Sequence, residues 1–189
     1  MNSAMIDLET LSLEPDAAVV SIGVAIFNNE EVIAVQSWEL APDHIHGHVD
    51  PATVAWWMHE DRDGARQATF GGKHSSFTAG YELKTLLAQH NVSEVWANDP
   101  DFDLVVLKSW WKRHNDSVSS AKVMPNLGDW PIKFWSHRSF RTIMSEAQRL
   151  GHDTSGLKGF YVAHDAGEDA AAQARAVIGA RKLLDMGQI

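Results

Sequence analysis

The chain has 189 residues, 44% hydrophobic and 22% charged, with 16 Lys and Arg against 25 Asp and Glu for a net charge of −9. That length and balance suit one globular domain spanning residues 1–189 with a sizeable core, and the acidity, taken whole, argues against nucleic acid. The absence of cysteine excludes a disulfide framework and any Cys-ligated zinc or iron–sulfur centre, and no apolar run reaches membrane-spanning length.

Residues 1–20 lack a basic segment followed by an apolar stretch and carry Asp7, Glu9, Glu14 and Asp16, which predicts no signal peptide. With no cysteine, the chain fits a reducing cytoplasm. Its charge is uneven. Residues 106–149 hold eight Lys and Arg against three acids, a net +5, which leaves −14 for the remainder. A basic segment in an acidic chain admits two readings: a track for phosphates, or ordinary solvated helix faces.

Met5-Ile6-Asp7-Leu8-Glu9-Thr10-Leu11 reads as a strand. Side chains alternate along a strand, so Asp7 and Glu9 share one face, while Ile6 and Leu8 share the other. Two acids on one strand face repel unless they are solvated at a sheet edge or a hard divalent cation sits between them. Leu13-Glu14-Pro15-Asp16 is a turn. Ala17 to Phe27 is rich in β-branched residues and predicts a central strand. Asn28-Asn29-Glu30 is a hairpin signal, and Glu31 to Leu40 supplies a third strand. Short links between the three predict an antiparallel meander with the Asp7/Glu9 strand inside or beside it.

Ala41 to Val49 predicts a loop in which His44, His46 and His48 alternate. If extended, they share a face and form a candidate transition-metal site, although no motif fixes their geometry. Asp50-Pro51 opens a helix, with Asp as the cap and Pro at the first position. Trp56 and Trp57 follow on that helix about 100° apart, so they do not face one core equally; either one is buried and the other lines a groove and stacks on a base, or both pack under a loop. Asp61 to Lys73 predicts a turn of helix and a loop. Ser75 caps a helix from Ser76 to His90. Glu94 to Ala97 lies between helices and predicts a parallel strand.

Asn98-Asp99-Pro100-Asp101-Phe102-Asp103 then starts a helix beyond the end of that strand, where sites of open α/β sheets form. Asp99 and Asp101 suit the helix dipole, whereas Asp103 follows Phe102 in an otherwise apolar helix. Ser117 to Asp129 predicts a loop, Trp130 to Trp135 a short strand, and Ser139 to Arg149 a capped helix ended by Gly151. Lys158 to Ala163 is a link, and Ala166 to Met186 is a long alanine-rich helix.

The turn into that last helix reads His164-Asp165-Ala166-Gly167-Glu168-Asp169. Asp165 and Glu168 have capping-box spacing, which puts His164 and Asp169 at the two positions that meet across a helix start. An imidazole is thereby set beside a carboxylate. Asp7, Glu9, Asp103 and Asp169 then stand at strand ends or helix starts, and four acids in one low-dielectric cleft require cations. Two Mg²⁺ or Mn²⁺ ions would neutralise them and serve in-line phosphoryl transfer, with His164 as general base.

The motifs Asp-x-Glu-Thr-Leu at residues 7–11, Asn-x-x-x-Phe-Asp at 98–103 and His-x-x-x-x-Asp at 164–169 resemble the His-bearing subgroup of the DEDD superfamily of 3′–5′ exonucleases. The stretches DLETLSLEPDAAVVSIGVAIF, PATVAWWMHEDRDGAR and AHDAGEDAAAQARAV are similar to small phage-type members, so the likeness covers most of the chain. The resemblance implies an α/β, ribonuclease-H-like mixed sheet of three antiparallel and then two parallel strands, flanked by helices. It implies Asp7, Glu9, Asp103 and Asp169 as ligands of two Mg²⁺ or Mn²⁺ ions and His164 as the base. Thr10, Leu11 and Asn98 would contact the terminal nucleotide, Trp57 or Trp56 would stack on it, and Arg141, with Arg138, would meet phosphates. The implied activity is metal-dependent hydrolysis of single-stranded DNA or RNA from 3′ ends to nucleoside monophosphates, in the cytoplasm of a bacterial cell and at no membrane. A homodimer is a further implication. Two rivals remain: a catalytically silent nucleic-acid-binding module on the same fold, and a metalloprotein built on the His44/His46/His48 loop.

Overall fold

The computed structural model describes residues 1–121, 126–159, 161 and 163–186, with the backbone alone for 118–121. The five strands β1 (Asn2–Thr10), β2 (Val19–Phe27), β3 (Val32–Glu39), β4 (Val92–Ala97) and β5 (His137–Ser139) form one sheet in the order β3-β2-β1-β4-β5. β1, β2 and β3 pair antiparallel, while β4 lies parallel to β1, and β5 to β4. This is the three-antiparallel, two-parallel mixed sheet that the resemblance implies.

β1 is interior, so its acids do not owe their place to a solvated edge. β2 is buried along all nine residues, as its run of Val, Ile and small side chains requires of a strand covered on both faces. The β2–β3 link is closed by Asn28, whose side-chain oxygen accepts from the Glu30 and Glu31 amides at 2.7 and 2.9 Å.

Among the described residues, six α-helices surround the sheet: α1 (Pro51–Trp57), α2 (Asp63–Thr69), α3 (Ser76–Gln89), α4 (Asp103–Ala121), α5 (Phe140–Arg149) and α6 (Ala166–Met186). Asp50, Ser75 and Ser139 cap α1, α3 and α5 through their side chains, where the sequence places them. One sheet face carries Ile6, Leu8, Ile22, Val24 and Trp38 against Leu83, Leu107 and Trp111 of α3 and α4. The other carries Met5, Ala25, Phe27 and Trp96 against Phe140 of α5 and the alanines of α6. Small side chains let α6 lie close to the sheet. At Gly23 the approach is closest, because a Cβ there would overlap the Ala166 carbonyl. Gly23 is the register partner of Asp7, so this contact sets the start of α6 directly over the β1 carboxylates.

Three sequence expectations change. The loop expected over Ser117–Asp129 begins later, because α4 continues to Ala121, and residues 122–125 lie outside the described residues. Past them, the Asn115 side chain accepts from the Leu127 amide and donates to the Gly128 carbonyl, so tertiary bonds support a stretch that local composition disfavours as helix. Trp130–Trp135 is not a strand. Pro131 has no amide to donate, and pairing with β4 begins only at His137, after a turn of 3-10 helix at Phe134–Ser136. The His44/His46/His48 loop is not extended on one face. His44 ends a 3-10 turn, and the His48 ring bonds the Ser12 hydroxyl at 2.7 Å. Among the described residues, no helix is long and apolar enough to cross a membrane.

Candidate active site

β1 delivers Asp7 and Glu9 to the end of the sheet from its α6-facing side. α4 starts at Asp103 just beyond the end of β4, and α6 brings Asp169 in its first turn. These four side chains, together with Asn98, Arg141, Lys158, Tyr161, His164 and Gln173, line one cavity of about 510 Å³. Residues from five separated stretches therefore converge.

The electrostatics follow from burial among like charges. Burial, and then the neighbouring carboxylates of Asp103, Glu9 and Asp169, raise the Asp7 carboxyl well above its ordinary range, and a hydrogen bond from Gln173 opposes this. Glu9 is pushed up to about 8 by burial and then by Asp169 and Asp103. Asp103 is raised to about 7 by burial, against hydrogen bonds from backbone amides that favour its charged form. Burial raises Asp169 as well, while the His164 amide and Lys158 pull it back.

Gln173 donates to Asp7 Oδ1 at 2.7 Å, while its own amide oxygen is buried with no partner. Four mutually repelling carboxylates and an orphaned amide oxygen are the donor set of a hard cation site, and they fit divalent metal. One oxygen each from Glu9 and Asp169 and a His164 ring nitrogen lie within 4.8 Å of one another, and this is the tight candidate metal group among the described residues.

At the start of α6, the Asp165 side chain accepts from the Glu168 amide at 3.0 Å, completing the expected cap. The His164 amide donates to Asp169 Oδ2 at 2.6 Å, so the pairing of these two residues runs through the backbone of His164 rather than through its imidazole. That ring sits 4.0 Å from Glu9 Oε1. Burial holds it below its ordinary pKa, with Arg62 adding to the effect and Asp169 opposing it. A neutral imidazole near pH 7 is a competent proton acceptor.

Against this cavity lies a second, apolar cleft of about 430 Å³, which shares Leu8, Glu9, Leu13 and Phe102 with it and adds Thr10, Thr53, Trp56 and Trp57. Of the two tryptophans, Trp57 is 2% exposed and donates from its indole to the Thr10 carbonyl at 2.9 Å, while Trp56 is 39% exposed. Trp57 thus supports the wall and Trp56 presents it. Sequence left open which of the two would face the cleft; Trp57, the one named for substrate contact, is the buried one, its indole N–H held by a buried acceptor, and Trp56 is the exposed one. Thr10 is also buried, its hydroxyl donating to the Ser12 carbonyl. Leu11 is not part of either cavity wall, and Leu13 takes that place. Asn98 and Arg141 reach the acid cavity, with Arg141 4.0 Å from Asp99. Arg138 does not, since it pairs with Glu94 at 3.0 Å elsewhere on the sheet.

Lys158, Tyr161 and Gln173 are the cavity residues that sequence reading missed. Lys158 and Tyr161 sit in a stretch read only as a link, and Gln173 lies one turn after Asp169, on the same helical face, a spacing that does identify it.

The family model for the 3'-5' exoribonuclease Rv2179c-like domain matches residues 2–179. Among solved structures, the nuclease domain of 3'hExo, a DEDDh family member bound to rAMP, is similar at 14% identity with a TM-score of 0.54, covering 97% of this chain and 92% of that one. Exonuclease X in complex with 5' overhanging duplex DNA aligns at 14% identity with a TM-score of 0.47, over 95% and 91% of the two chains. No curated protein matches in sequence.

Proposed function

The chain belongs to the Rv2179c-like 3'-5' exoribonuclease family and is a 3'-5' exonuclease, and from that premise we propose that it removes nucleoside monophosphates from single-stranded 3′ ends, RNA first among them. The observation that carries this reading is the convergence of Asp7, Glu9, Asp103, Asp169 and His164 on one cavity beside an apolar cleft. Divalent cations held by the four carboxylates would supply Lewis acidity and charge neutralisation at the scissile phosphate.

The rest is the work of this chain's own groups. His164, neutral and 4.0 Å from Glu9, takes a proton from the attacking water as the new P–O bond forms. The bond from phosphorus to the 3′ oxygen of the preceding nucleotide breaks, and that oxygen takes a proton from solvent. Trp56, Leu13 and Phe102 hold the terminal base against the apolar cleft and exclude water from it, while Asn98 and Arg141 orient the sugar–phosphate. Gln173 holds Asp7 in place through its amide. The family description supports RNA as substrate. A homodimer is proposed on resemblance alone, and sedimentation measures it.

The test is incubation with 5′-labelled single-stranded RNA and DNA in Mg²⁺, Mn²⁺ or chelator. Stepwise shortening from the 3′ end that requires the cation, and that Asp7→Asn removes, is expected. Nucleotide release that survives chelation overturns the mechanism. No release from either polymer in any cation leaves the silent binding module as the better account.

A further inference from the structure

His164 has a φ of +65°, a conformation that side-chain-bearing residues rarely adopt, and so something must hold it there. Its amide is tied to Asp169. Its carbonyl accepts a hydrogen bond of 2.8 Å from the hydroxyl of Thr69, a residue 95 positions away in sequence. Thr69 ends α2 and is 1% exposed. A threonine in a helix ordinarily turns its hydroxyl back onto the preceding turn, whereas this one reaches across to another segment.

The same stretch of chain also meets the imidazole. The ring of Trp56 stands 4.9 Å from it at 88°, edge to face, and the Arg62 guanidinium lies 4.4 Å from the Trp56 ring centre.

We infer that Thr69 is a positioning residue for His164: its hydroxyl keeps the His164 peptide in the left-handed region, and this aims the imidazole across Trp56 toward Glu9. The inference rests on the reading of His164 as general base. Without the hydroxyl the His164 carbonyl loses its partner, the peptide relaxes toward ordinary φ, and the Cβ direction swings with it. Trp56 and Arg62 limit that swing from the side-chain end.

The experiment uses the full chain. Thr69→Val removes the hydroxyl at nearly constant volume, and Thr69→Ser keeps it. The expected result is a kcat lowered about tenfold or more in Thr69→Val with KM within about twofold, and most of the rate restored in Thr69→Ser. In a His164→Ala background, Thr69→Val should cost nothing further, because it acts only through the imidazole. A readout free of turnover is the spectrum of isotope-labelled histidine in metal-free protein. The His164 ring signals, displaced by the Trp56 ring current, should move toward solvent values in Thr69→Val and stay in Thr69→Ser.

A folded Thr69→Val protein with wild-type kcat and unmoved His164 signals overturns the inference, as does an equal loss in the His164→Ala background. Unaltered protein supplies a check that needs no substitution, since a Thr69 hydroxyl proton exchanging freely with solvent also overturns it. His164→Ala at wild-type rate would instead overturn the general-base reading, which keeps the two failures apart.

Discussion

Two carboxylate environments on the same pair of strands are answered in opposite ways. Near the start of β4, Glu94 is bracketed by Arg138 at 3.0 Å and Arg181 at 2.8 Å, and Arg181 also lies over the Trp96 ring. At the other end of these strands, Asp7, Glu9, Asp103 and Asp169 crowd together, and among the described residues no Lys or Arg forms an ion pair with any of them. The fold can neutralise an acid with arginine where neutralisation is all that is needed. Where it leaves four acids to repel one another, the repulsion is a cost that divalent cations of the kind proposed above would relieve on binding.

The contrast breaks most completely at Asp7 or Asp169. Asn at either position should lower kcat by about a thousandfold or more in a steady-state assay with labelled RNA, without unfolding the protein, because charge rather than volume is lost. Chelation should reproduce that loss in the unaltered enzyme, reversibly.

The pH dependence sharpens the comparison next. Glu9, raised to about 8, and Asp103, raised to about 7, bind more protons folded than unfolded. In metal-free protein their contribution to stability is therefore full below the ordinary carboxylate range and is lost as pH rises toward 8. Thermal unfolding should show Tm falling across that window without cation. Adding Mn²⁺ should flatten the fall, and so should Asp103→Asn. A Tm that rises with pH in the metal-free protein would contradict the crowding.

A smaller effect is expected from Trp56→Ala. KM should rise about five- to a hundredfold through loss of the cleft wall, on the order of 1–3 kcal/mol of stacking. Trp57→Ala should instead lower stability, because its ring is buried.

The smallest is Arg181→Leu. Removing one of two partners of a mostly buried Glu94 should cost about 1–2 kcal/mol in urea unfolding and leave kcat unchanged.

Local pattern and motif go far in this chain. Caps at Asp50, Ser75, Ser139 and Asp165 and the span of α6 follow from residue type and spacing alone, because a helix start is a local hydrogen-bonding problem. Alternation along β1 places Asp7 and Glu9 on one side for the same reason. The candidate site was legible as three motifs, but its walls were not. Tryptophans adjacent on a helix differ by about 100° in direction, and only packing against Thr10 decides that Trp57 is the buried one. Strand β5 is misplaced from sequence because its position is set by pairing with β4.

Residue order settles which acids and which histidine are at hand, and which short stretches hold them at helix starts and strand ends, since those choices depend on neighbours a few residues away. That they meet is a matter of long-range packing. Gly23 lets α6 down onto β1, Thr69 bonds a histidine 95 residues distant, and arginines pair with Glu94 while, among the described residues, none pairs with Asp7. Such contacts join residues far apart in the chain, and nothing in local propensity encodes the distance between them.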